Sequence, residues 1–467
     1  MSSQGRLWMA VLVCSACAPV SSAELDVSAD SELQVLPLTA AETCWPGQSC
    51  DCESADAPDD PACARWLAPE TLDNAQASDV SSPNVGVIGG GAAVVSWGQI
   101  DGPWDGAGFP GESIRSRRFI LGTWEAERIV YTSAPGDDVS FAGPYMTTDR
   151  SGRALLAYWE GGLSWDTRLL SASRLVGGEW SAPVEVLSTS AYISFFPPRL
   201  YGSRRGQGLL VAGFGSGRDG SSHVSARFIG GVWQPPQRIP QVDMWPYWAN
   251  SPEVALDRQG SAWAVWSQPL LPPVEGVPSP SRYRISASQL TASAETWSEP
   301  VIIEEAEGSS FRTRIALRDD GQRGIATWQA GDVGFRFSHF VAGSGWSDPA
   351  ALPASLVVDQ LAVDDRGDAV AIGLGSDEVR AGLFAAESGS WTDLGVIDGS
   401  AGREYSELSL ALERSGSALA AWTRRDGVYR AAWVARYTPG SGWGTPRRLD
   451  PEANGDAYAP QVALDEQ

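Results

Sequence analysis

One segment recurs along this chain and limits what it can fold into. Its clearest copy reads Val254-Ala255-Leu256-Asp257-Arg258-Gln259-Gly260-Ser261-Ala262-Trp263-Ala264-Val265-Trp266. Related stretches are Met146-Thr147-Thr148-Asp149 with Gly152 and Trp159, and Ile315-Ala316-Leu317 with Gly321 and Trp328. Leu361-Ala362-Val363-Asp364 with Gly367, and Leu410-Ala411-Leu412-Glu413 with Gly416 and Trp422, continue the series. Weaker copies surround Gly91 with Trp97 and Gly206 with Phe214, and a partial one is Val462-Ala463-Leu464-Asp465. A second motif follows each copy: a Trp, usually after Gly, often with Pro three residues on. It appears at Trp124, Trp180, Trp233, Trp297, Trp346, Trp391 and Trp443, with an earlier copy at Trp66-Pro69-Leu72. From Trp66 to Trp443 the mean spacing is near 54 residues.

A period of this size, divided into four short strands, is the signature of a propeller blade. In one unit, Val254 to Leu256 is short and apolar, as a strand buried on both faces should be. Asp257 to Gly260 form a tight turn, with Asp bonding its own backbone and Gly taking positive φ. Ala262 to Trp266 is a second strand of small residues ending in a bulky one. The third strand sets Arg284, Ser286 and Ser288 against Ile285, Ala287 and Gln289, with a period of two. The Trp-x-x-Pro segment is a fourth strand at an edge, where Pro costs no ladder bond. The expected fold is therefore all-β: a β-propeller of four-stranded antiparallel blades over residues 66–467, with seven blades and six or eight as alternatives. The first and fourth strands each occur eight times, so the extra copies compete for ring closure.

The repeated Asp could in principle ligate calcium. Arg318, Ser203 and Glu413 take the same position, however, and a required metal ligand would not vary that way. Turn chemistry is the expected role, and packing between blades is the expected role of the repeated Trp.

Composition excludes several chemistries. All 34 basic residues are arginine, and lysine is absent, so Schiff-base catalysis is ruled out. Only His223 and His339 are available for a triad or a zinc site. A net charge of −23 repels nucleic acid. No cofactor and no metal are expected.

The N-terminal residues 1–23 read as an export signal, with Arg6 ahead of the apolar stretch Leu7 to Val13. Ser21-Ser22-Ala23 offers a cleavage site before Glu24, whereas Ser15-Ala16-Cys17 resembles a lipobox that would lipidate Cys17. Residues 24–65 form a polar tether that carries Cys44, Cys50, Cys52 and Cys63 in an acidic segment. In an oxidising space these four pair as disulfides, in two connectivities once the strained Cys50–Cys52 bond is set aside. The alternative is a metal site with Asp51, Glu53, Asp56, Asp59 and Asp60. The expected location is the outer membrane as a lipoprotein, the periplasm or the exterior. Membrane attachment would come only through a lipid, and the chain is expected to be a monomer.

The repeat resembles bacterial exported β-propellers, including lipoproteins, with Ala-Leu-Asp-x-x-Gly-x-Ala units. The architecture is also similar to sialidase-type propellers, but the pattern Asp-x-x-Gly-x-Ala-x-x-x-Trp departs from their Asp box. The resemblance implies fold and no catalytic residue.

Antiparallel topology sends the turns between strands 1 and 2 and strands 3 and 4 to one face. The remaining connections reach the other face and read as long and aromatic. They carry Trp104, Phe109, Tyr192, Phe195, Phe196, Trp245, Tyr247, Trp248, Tyr405 and Tyr458. Such side chains stack on sugars or anchor protein partners, or else plug the channel mouth. The expectation is a non-catalytic binding or scaffold protein of the cell envelope that recognises a glycan or protein. The alternative is a glycoside hydrolase or lyase using Glu112, Asp243, Glu404 and Asp456. A purely structural spacer is the third reading.

Overall fold

The structure is a computed structural model. It describes Leu72 and most of residues 77–464, excluding 90–91, 102–110, 134–138, 163–166, 175–178, 190–197, 217–219, 241–250, 271–281, 332–333, 450–455 and the single positions 121, 150 and 204. The export segment with Cys17, the tether with Cys44, Cys50, Cys52 and Cys63, and Trp66 lie outside the described residues.

Among the described residues the strands form seven antiparallel sheets, each built from consecutive segments. They are blade 1 (77–132), blade 2 (139–189), blade 3 (199–238), blade 4 (253–307), blade 5 (310–351), blade 6 (360–399) and blade 7 (405–448). First strands of successive blades lie against one another from blade 1 through blade 7. The chain is a β-propeller of seven small four-stranded blades.

Blade 4 shows how the repeat makes a blade. Its strands are Glu253–Leu256, Ala262–Pro269, Arg282–Leu290 and Val301–Glu307, paired in that order. The first turn is closed by Asp257, whose Oδ1 accepts the N–H groups of Gln259 and Ser261, each at 2.8 Å. Gly260 there has φ +87°, a conformation that a Cβ would strain. The same device recurs with Asp364, which accepts from Arg366 and Asp368 at 2.8 and 3.0 Å. In blade 3 the Ser203 hydroxyl does this work for Gln207 at 3.2 Å. In blade 5 the turn is one residue longer, and Asp320 rather than Arg318 accepts from Gln322 at 2.9 Å. The turn residues vary because the backbone N–H groups need only an oxygen, which is the role the sequence suggested.

The third strand departs from the expected alternation. Ser286 and Ser288 are as buried as Ile285 and Ala287. A blade has a neighbour on each face, so no solvent side exists to select polar residues. Ser288 is satisfied locally, donating to the Ser298 carbonyl at 2.7 Å.

Junctions between blades are sealed by a large side chain near the end of the second strand. Trp97, Trp266, Trp328, Trp422 and Tyr158 are all almost fully buried there. Strand register puts Tyr158, not Trp159, at this position in blade 2. It puts Ala212, not Phe214, there in blade 3. Blade 6 has Gly373, where a Cβ would sit 2.0 Å from the Val357 carbonyl oxygen, so backbone fills the space.

Each of the four indole N–H groups at these strand ends finds an acceptor, which offsets the cost of burying it. Trp266 donates to Gln268 Oε1 at 2.9 Å and Trp97 to Gln99 Oε1 at 3.4 Å. Trp328 donates to Glu304 Oε2 at 2.7 Å, and Trp422 to Asp398 Oδ2 at 3.1 Å, both from the preceding blade. Glu304 and Asp398 stand seven residues after Trp297 and Trp391. Where the next blade brings Tyr158, the residue seven after Trp124 is Tyr131, and the two rings pack at 4.8 Å.

The fourth strand is not continuous where Pro follows Trp. In blade 3 it splits into Val232–Trp233 and Gln237–Arg238, both on the third strand, around the two prolines 235 and 236. Blade 6 has no such Pro and keeps one strand, Ser390–Gly399. Blade 1 splits in the same way, into Thr123–Trp124 and Arg128–Thr132, with no Pro between them, so the gap does not depend on Pro.

The two extra repeat copies are both used as packing. Val462 and Leu464 cover Leu419, Ala421 and Val434 of blade 7, the place a following blade's first strand would occupy. Val462 N–H donates to Ser409 Oγ at 3.2 Å, matching Met146 N–H to Asn84 Oδ1 at 3.4 Å between blades 1 and 2. Ala459 even has the positive φ of Ser82, Gly143, Arg312 and Glu407, three residues before the corresponding apolar run. Leu72 packs on Val95 and Trp97 of blade 1, as Ile239 packs on Trp266.

This packing makes two effects measurable. Asp257→Ala should lower stability by about 1–2 kcal/mol in urea denaturation, through two lost backbone acceptors. A calcium-dependent midpoint that vanishes in this variant would instead make Asp257 a metal ligand. Burial pushes the hydroxyls of Tyr158, Tyr201 and Tyr283 above the usual tyrosine range, Tyr201 to about 12. A raised folded pKa gives stability that is full below pH of about 10 and lost as pH rises through the folded values. Tyr158→Phe, which removes a buried hydroxyl with no hydrogen-bond partner, should therefore flatten the alkaline fall in thermal midpoint. An unchanged alkaline slope would contradict this.

Candidate binding face

The connections from strand 2 to strand 3, and from one blade to the next, open on the face opposite the Asp turns. They are not uniformly long. Blade 7 turns back between Asp426 and its partner Tyr429, blade 6 between Leu374 and Val379, and blade 5 between Ala330 and Gly334. The expected contrast of long against short connections holds only on one side of the ring. The long segments leave from the Asp101–Gly111 pair in blade 1, from between blades 2 and 3, from between blades 3 and 4, and from the Pro269–Tyr283 pair in blade 4. Trp104, Phe109, Tyr192, Phe195, Phe196, Trp245, Tyr247 and Trp248 belong to these segments and lie outside the described residues. The stems of these segments fall on consecutive blades.

Tyr405 and Tyr458 are described, and both lie on blade 7. Tyr405 begins the first strand, and its hydroxyl is 3.4 Å from Asp398 Oδ1. Burial, with Asp398 beside it, raises its pKa. Tyr458 donates to Asp456 Oδ2 at 2.9 Å, and this bond is the main cause of its raised pKa. Asp456 also accepts the Arg430 N–H at 2.6 Å, which ties residues 456–457 to the start of the third strand. The Arg430 guanidinium stands 5.7 Å from the Tyr458 ring centroid.

Between them lies a charged cluster that the repeat pattern does not single out. Arg424 Nη1 holds Asp398 through both carboxylate oxygens, at 3.0 and 2.9 Å. Its Nε and Nη2 reach Asp426 at 3.0 and 3.2 Å. The guanidinium lies 3.5 Å from the Trp433 ring centroid, and Trp433 Nε1 donates to Asp426 Oδ2 at 3.0 Å. Arg403 is the second cation on Asp426. Arg424 and Asp426, two apart on one strand, share a face by the period of two, which was the available sequence signal. Asp398 could be connected to them only by knowing that blade 6 packs on blade 7. The acids of this cluster have their lone pairs taken by Arg, Trp and Tyr donors.

Of the other acids considered, Glu404 is exposed and 3.3 Å from Arg425. Glu112 lies in the third strand of blade 1, its N–H bonded to Ser133 Oγ at 3.0 Å. Asp243 lies outside the described residues.

No protein-family model matches this chain. No curated protein matches it either. Solved structures with similar folds include the BP39L lectin from Burkholderia pseudomallei, at 13% identity over 79% of this chain and 99% of that one, TM-score 0.47. Another is the β-propeller domain of the Trilobed protease from Pyrococcus furiosus, at 10% identity over 80% and 98%, TM-score 0.44. A third is the Hadza microbial sialidase Hz136, at 12% identity over 72% and 66%, TM-score 0.37. A fold by itself assigns no activity, so function has to be argued from the site.

Asp398→Ala strips Arg424 and the Trp422 N–H of a buried partner. It should cost about 3–5 kcal/mol in chemical denaturation. A loss below about 1 kcal/mol, the range of exposed pairs, would show that Arg424 relaxes to other partners.

Proposed function

We propose that the chain is an exported, non-catalytic binding protein of the cell envelope that recognises a glycan through its loop face. The observation that carries this reading is the concentration of long connections on consecutive blades, with eight aromatic side chains in their sequence. Aromatic side chains carried by the loops of a propeller suit this role, because they offer flat apolar faces to sugar rings. The apolar N-terminal stretch supports export. Cys17 or the Ser21-Ser22-Ala23 site decides between a lipid anchor and release.

A hydrolase would need an acid kept protonated and a second carboxylate about 5–10 Å away. Asp398, Asp426 and Asp456 are instead committed to structural donors. That favours binding over catalysis for the described part of this face. An envelope protein is the partner class to test beside glycans.

The test is a glycan and envelope-protein array probed with residues 24–467. Trp245→Ala combined with Trp248→Ala should weaken the best hit by at least about tenfold, a loss of ~1.4 kcal/mol, with an unchanged thermal midpoint. Full binding by the double variant would remove these residues from the site. Turnover of an array glycan would replace binding with catalysis.

A further inference from the structure

A pocket of about 290 Å³ lies between blades 2 and 3 on the face of the Asp turns. It is opposite the loop face, and a ligand seated in it is independent of any glycan held there. Leu155 and Phe228 form apolar walls, and Asp149, Arg153, Ser203 and Gln207 stand at the rim.

The repeat shows how such a space can be filled: the other blades carry Val94, Leu209, Ile325, Val370 and Leu419 at the position of Leu155, and only blade 4 places a ring there. Ala154 pairs with Thr148 as Ala262 pairs with Leu256, so Leu155 corresponds to Trp263. Phe228 pairs with Gly208 as Phe340 pairs with Gly324, so Phe228 corresponds to Phe340. At the junction of blades 4 and 5 the Trp263 ring fills the gap. It is 4.8 Å from Phe340 and 5.5 Å, edge-on, from Trp346. At the junction of blades 2 and 3 the matching pair, Phe228 and Trp233, is present at 5.3 Å. Leu155, however, supplies no ring.

We propose that this pocket binds a small planar aromatic molecule of about indole size, seated where Trp263 sits two blades later. The size fits. An apolar cavity of about 150 Å³ takes a benzene-sized guest, and this pocket's roughly 290 Å³ has room for two fused rings. The chemistry fits as well. Asp149 is already tied to Arg153 at 2.7 Å and to its own turn, so it presents no free charge to the guest. The other charged lining groups are paired too: Arg153 also donates to the Arg205 carbonyl at 3.0 Å, and Glu179 pairs with Arg128.

The probe is 5-fluoroindole, titrated into the full chain and followed by ¹⁹F NMR. Saturable binding with a dissociation constant of about 1 mM or tighter is expected. Leu155→Trp should fill the pocket and weaken binding by at least about tenfold, with a thermal midpoint no lower than the parent's. Leu155→Phe carries the same test should the larger ring prevent folding. Trp263→Leu should open a second site and raise the stoichiometry. The absence of saturable binding would overturn the proposal. So would binding that survives Leu155→Trp and Leu155→Phe, or binding abolished by Trp245→Ala with Trp248→Ala.

Discussion

Everything in this molecule depends on blades burying both faces against their neighbours. A single four-stranded sheet of this size cannot bury enough apolar surface to be stable alone. The junctions therefore carry the stability, and five of the seven blades place one large side chain there, near the end of the second strand. Burying an indole brings a polar N–H into an apolar gap, which is costly without an acceptor. The chain meets that demand in two ways, with Gln two residues on or a carboxylate from the preceding blade. Trp266 has Gln268 and is preceded by Pro240 at the carboxylate position, whereas Trp328 and Trp422 have Ala330 and Arg424 two residues on and are met by Glu304 and Asp398. Neighbouring repeats thus differ together, because the two halves of each junction must fit.

The same constraint shapes the surface. Asp398 belongs to the core through Trp422 and to the blade 7 rim through Arg424 and Tyr405. Its carboxylate oxygens are thereby committed to structural donors. The blade 7 cluster therefore reads as a brace that holds the edge of the face, while the longer connections on blades 1 to 4 supply what a ligand would meet. On the opposite face the turns are short and their oxygens serve backbone N–H groups. There, the junction of blades 2 and 3 leaves a pocket where the Trp263 ring fills the matching space between blades 4 and 5.

Much of the fold was legible in the amino-acid order. Asp257, Gly260 and their counterparts mark turns by local chemistry that needs no partner blade, and Trp297 or Trp391 marks the outer strand. The errors came where a neighbour decides. Trp159 and Phe214 look like the bulky ends of their strands, yet register gives that place to Tyr158 and Ala212. Ser286 and Ser288 look like solvent positions, yet they face another blade. At the site, Tyr405 and Tyr458 were visible as loop aromatics. Arg424, Asp398 and Trp433 were not, because the first two come from different blades and the third looks like strand filler.

Amino-acid order alone specifies the blade and its turns, because those depend on hydrogen bonds and side-chain alternation within about fifty residues. Which aromatic fills each junction, which acid answers it, and where a junction is left unfilled are settled only in three dimensions. Those outcomes depend on the register between sheets that meet only when the ring assembles, and no local pattern encodes the space remaining between them.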